Sequence, residues 1–94
     1  MKTITIYTRN VLERTGYRKH PYKEAMQYIV TYDGKIFKNH DQSLDNPRLK
    51  VQFEKVLETR SKKELDKFIS HLGKSYDDQD LKYDLNNVIK LINN

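Results

Sequence analysis

Asp33-Gly34 separates two runs of alternating side chains, and no other feature of this sequence narrows the fold as far. Asp-Gly is favoured in a two-residue type I′ turn because both central residues take positive φ. Before it, Met26, Tyr28, Val30 and Tyr32 alternate with Ala25, Ile29 and Thr31; after it comes Lys35-Ile36-Phe37-Lys38. The pattern predicts a β-hairpin with Thr31 opposite Ile36 and Val30 opposite Phe37. Residues 2–8 predict a further strand, with Ile4 and Ile6 on one face and Thr3, Thr5 and Tyr7 on the other. Between the two lies a stretch from Arg9 to Tyr22 with no sustained period that contains Gly16 and Pro21. It reads as a long loop with one helical turn at Val11 to Arg14.

Further along, the apolar period changes from two to 3.6. Asn46 is placed to cap a helix with Pro47 in its first position, and Leu49, Phe53, Val56 and Leu57 then share one face. Ser61 and Glu64 have capping-box spacing, and Leu65, Phe68, Ile69 and Leu72 make a second stripe that Gly73 ends. Leu81, Leu85, Val88, Ile89 and Ile92 make a third, with Asp77, Asp78 and Asp80 near its start, where the helix dipole favours negative charge. One strand, a hairpin and three helices imply an α+β fold, a three-stranded antiparallel sheet with the three helices packed on one face. A chain of 94 residues suffices for a single domain, residues 1–94, and shows no internal repeat or low-complexity linker.

The net charge of +5 is unevenly spread: residues 1–22 carry five basic side chains and one acidic, whereas residues 51–94 carry eight of each. The basic residues are interleaved with tyrosines. Arg9, Arg14, Arg18, Lys19 and Lys23 can neutralise phosphates or carboxylates while Tyr17 and Tyr22 supply flat contact area, so these seven residues form the candidate partner-binding surface. The alternative is that the charge keeps a small protein in solution while the tyrosines fill one side of a sheet.

Catalytic constellations are missing. There is no cysteine, and His20, His40 and His71 show no spacing that sets two ligands on one helical face. Asp77-Asp78-Gln79-Asp80 lacks the glycine and final glutamate of a calcium loop, and Gly16, Gly34 and Gly73 build no phosphate-cradling motif. No metal, cofactor or enzymatic activity is expected. The N-terminus has no continuous apolar run, which points away from a signal peptide or membrane span and toward the cytoplasm of a bacterial host cell.

Two resemblances bear on function. The strand ITIYT, the hairpin and a helix opening Asn46-Pro47-Arg48-Leu49-Lys50 look like the first half of a ribonuclease H-like domain. In that family the first strand and first helix each supply an acidic metal ligand. Arg9 and Lys50 stand at the matching positions here, so the resemblance implies a scaffold without metal-assisted hydrolysis. In its short length, many tyrosines, Lys-, Asn- and Ile-rich usage and lack of a catalytic set, the chain also resembles the small inhibitor proteins of phages and mobile elements, anti-CRISPR proteins among them. That resemblance implies a non-enzymatic protein that binds and inhibits a bacterial nucleic-acid-handling enzyme, such as a CRISPR effector nuclease. The alternative partner is DNA or RNA itself, gripped through the N-terminal segment. The hairpin edge, with Tyr28 and Tyr32 beside it, offers a surface for a homodimer.

Overall fold

The computed structural model describes residues 2–39 and 52–93. Four strands, β1 (Ile4–Arg14), β2 (Tyr22–Tyr32), β3 (Lys35–Asn39) and β4 (Glu54–Thr59), are followed by two helices, α1 (Lys62–Ser70) and α2 (Tyr76–Asn93). The sheet is antiparallel with order β3-β2-β1-β4. The α+β class therefore holds; the described residues form four strands and two helices where three of each were expected.

The predicted hairpin is present. Asp33 and Gly34 have φ of 56° and 75°, and Thr31 pairs with Ile36 as expected. Val30, however, pairs with Lys38, because the register shifts by a residue at Phe37, whose side chain packs toward the core. A Cβ on Gly34 would meet nothing within 4 Å, so only the backbone conformation resists a side chain there. Gly34→Ala is expected to lower the unfolding free energy by about 1 to 2 kcal/mol with the fold retained, measured by urea titration.

The first predicted helix is not found where it can be seen. Asn46, Pro47 and Leu49 lie outside the described residues, and so does Lys50. Residues Glu54–Thr59, which include Val56 and Leu57, are strand β4, and Phe53 precedes it. Here tertiary demand overrides local period. Ile4 and Ile6 are fully buried and the outer side of β1 needs a ladder partner, which β4 supplies through Ile4↔Thr59 and Ile6↔Leu57. A shift between Ile6 and Tyr7 turns Val56 outward, which erased the alternation that would have marked a strand.

Both helices lie on one face, as expected. Leu65 of α1 and Leu81, Leu85 and Val88 of α2 meet Ile4, Ile6, Tyr28 and Val30 in one core, flanked by Phe68, Ile69, Leu72, Ile89 and Ile92. Ser61 caps α1 by accepting from the Glu64 amide at 3.3 Å. The reciprocal half of the capping box is rerouted: the Glu64 carboxylate accepts from the Thr59 hydroxyl at 2.6 Å, and that hydroxyl accepts from the Ser61 amide at 3.0 Å. A single threonine thus ties the end of β4 to the start of α1. Tyr28 and Tyr32, offered above as a self-association surface, instead pack in and against this core.

Candidate nucleic-acid interface

The most consequential departure concerns residues 9–14. They form no helical turn and no loop but continue β1, pairing with β2 without interruption from Arg9↔Gln27 to Arg14↔Tyr22. Among the described residues, neither neighbour follows them. β4 pairs with β1 only up to Thr8, and β3 pairs with β2 only from Ile29 onward. The six outer pairs therefore form a two-stranded arm about 20 Å long, at roughly 3.4 Å per residue, within a molecule whose longest dimension is 47 Å.

A structural anchor on each face fixes the base of the arm. On the helix side, the Met26 amide donates to the Asp77 carboxylate at 2.9 Å, so the start of α2 satisfies this stretch of the β2 edge. On the opposite face, Arg9 donates from Nε to Gln27 Oε1 at 2.8 Å, and its guanidinium lies 4.2 Å from the centre of the Phe53 ring. A guanidinium so stacked and hydrogen-bonded holds β1, β2 and the approach to β4 together.

The end of the arm is built by local hydrogen bonds. Thr15 donates its amide to the Pro21 carbonyl at 3.0 Å, closing the loop between the strands. The Thr15 hydroxyl donates to the His20 carbonyl and accepts from the Tyr17 amide. Gly16 takes a φ of +85°, a left-handed conformation that costs glycine nothing. This loop spreads Arg14, Tyr17, Arg18, Lys19, His20 and Lys23 around an open depression of about 580 Å³. Glu13 also lines it and lies 3.9 Å from Lys23, an exposed pair of little energetic weight whose carboxylate lowers the formal charge of the lining from four positive to three. Arg14 faces Tyr22 across the ribbon, so a ring 47% exposed flanks a cation. Tyr17, at the end, is 74% exposed.

Of the seven residues singled out from the sequence, six converge here: Arg14, Tyr17, Arg18, Lys19, Tyr22 and Lys23. Arg9 does not. It stands at the base of the arm, bonded to Gln27 and stacked on Phe53. Two further residues at the end of the arm were not singled out. His20 lines the depression, and Thr15 organises the loop; the signal was Gly16 and Pro21, the punctuation of a tight turn, with Thr15 just before it and His20 inside it.

Elsewhere, carboxylates serve structure. Asp78 accepts from the Gly73 amide at 2.9 Å while its own amide donates to the Ser75 hydroxyl at 3.1 Å, which fixes the turn into α2. Lys55 and Glu58 pair at 2.8 Å on the surface, and that bond raises the Lys55 ammonium above its ordinary value. Among the described residues, no group of three or more His, Asp or Glu side chains could hold a metal, and no helix is long and apolar enough to cross a membrane. No family model, curated protein or solved structure matches the chain.

Proposed function

We propose that the protein is a non-enzymatic binding module that grips the phosphate backbone of nucleic acid with the end of its β1–β2 arm. The observation that carries this reading is the gathering of Arg14, Arg18, Lys19 and Lys23 at the end of a ribbon that, among the described residues, extends past both flanking strands. Cations gathered around one depression act together as one field on a polyanion. Holding three or four phosphates releases their counterions, so log K falls by about 2 to 3.5 for each tenfold rise in salt. Fluorescence anisotropy with a labelled oligonucleotide between about 50 and 300 mM salt measures that slope; no binding at the lowest salt, or binding indifferent to salt, overturns the reading.

A second reading is an inhibitor of a nucleic-acid-handling enzyme such as a CRISPR effector nuclease. It draws on the exposed rings of Tyr17 and Tyr22, a residue type enriched at protein interfaces. It ranks second because grooves that hold phosphates are themselves cationic and repel this arm. A stable complex with an effector nuclease, lowered DNA cleavage and no affinity for free nucleic acid would reverse the order.

A further inference from the structure

The end of the arm is concave, and one wall of the concavity is a ring. Tyr17 donates its amide to the Thr15 hydroxyl at 3.1 Å, so its backbone is tied into the loop although its side chain is three-quarters exposed. A ring held this way has already given up backbone freedom and meets a partner at low further entropic cost. The depression beside it, about 580 Å³, is open, with room for a flat ring laid against its wall. Cations stand on either side of it: Arg14 and Lys23 come from opposite strands of the ribbon, while Arg18 and Lys19 come from the loop itself.

Duplex and single strand offer such a site different things. In a duplex each base face is covered by its neighbours, and only base edges and phosphates reach the surface. In a single strand the base faces are free, and every base can stack on an aromatic ring whatever its sequence. A concave cationic site with an exposed ring matches the second. We infer that the end of the arm takes a single-stranded segment, with one base stacked on Tyr17 in the depression and the phosphates before and after it held by Arg14, Arg18, Lys19 and Lys23. The protein therefore prefers single strands to duplex and does not select sequence. This deepens the nucleic-acid reading above and rests on it.

The test compares mixed-sequence 12-nucleotide single-stranded DNA, the same length of single-stranded RNA and the corresponding DNA duplex, titrated against wild type, Tyr17→Ala and Tyr17→Phe. At least one single strand should bind about tenfold tighter than the duplex, the magnitude of one base–ring stack. Tyr17→Ala should lose that advantage, weakening single-strand binding about tenfold more than duplex binding, whereas Tyr17→Phe, which keeps the ring, should retain it. Equal or tighter binding to duplex, or a single-strand preference that survives Tyr17→Ala, overturns the inference while the phosphate grip stands. No salt-sensitive binding to any of the three probes removes both.

Discussion

Replacing Arg14, Arg18 and Lys19 by Glu and Lys23 by Gln in one variant is expected to abolish nucleic-acid binding while leaving the fold intact. Lys23 is neutralised and not reversed, because it lies across the ribbon from Glu13 and a second carboxylate there would add local repulsion. Four phosphate contacts contribute a counterion-release term of about three orders of magnitude at 0.1 M salt, all of which the variant forfeits. The stability cost is small because the side chains are exposed and none reaches the core; such substitutions shift unfolding by about 0.5 kcal/mol each at most. Arg9→Gln is the matched control. It removes the bond to Gln27 and the stack on Phe53, so it should lower stability by about 1 kcal/mol and leave the salt slope of binding unchanged. A fourfold variant that binds like wild type would move the contact surface away from the arm, to the lysine-bearing faces of the helices.

The arm also shows where reading the sequence reaches its limit. Alternation reports burial on one face, and Met26, Tyr28, Val30 and Tyr32 alternate because α2 and its neighbours bury them. Residues 9–14 are extended for a different reason: each pairs with a partner in β2, and most of the segment is solvated on both faces. Nothing then requires every second residue to be apolar, so a true strand reads as an irregular basic loop. The same absence of packing leaves the segment exposed to solvent. Composition therefore singled out residues that the fold gathers at the end of the arm, while the periodicity needed to describe its shape was missing.

The opposite error occurred at β4. Phe53, Val56 and Leu57 fall on one face of an ideal helix, yet the unpaired side of β1 beside Ile4 and Ile6 had no other strand to complete it. That demand comes from a segment some fifty residues earlier, and no local window contains it. The boundaries of α1 and α2 were legible because their signals are local. Ser61 caps a first turn, the stripe from Leu65 to Leu72 and the stripe from Leu81 to Ile92 keep one period, and Gly73 separates them.

The second large effect is expected at Tyr28, the largest fully buried side chain of the core. Its ring fills the space between β2 and α2, and its hydroxyl donates to the Asp84 carboxylate of α2. Tyr28→Ala should cost about 3 to 5 kcal/mol by loss of transfer energy and opening of a cavity. A domain of 94 residues is stabilised by roughly 5 to 14 kcal/mol in all, so this one change brings it near the edge of unfolding. Tyr28→Phe keeps the ring and removes only the hydrogen bond, which should cost about 1 to 2 kcal/mol at neutral pH because Asp84 then loses its donor. The pair also gives stability a defined pH dependence. Burial, then the Asp84 bond and the nearby carboxylates of Asp84, Asp80 and Asp77, push the Tyr28 phenol far above its ordinary value of 10.0. The folded protein therefore keeps this proton under conditions where the unfolded chain releases it, and proton linkage makes stability fall as pH rises. The contribution is complete below about pH 10 and is lost progressively above it. Urea unfolding of wild type and Tyr28→Phe from pH 8 to 11 isolates the effect, since only the wild type carries this group. The gap between the two should narrow above pH 10; curves that fall in parallel would detach the alkaline limb from Tyr28 and leave its hydroxyl a packing contact alone.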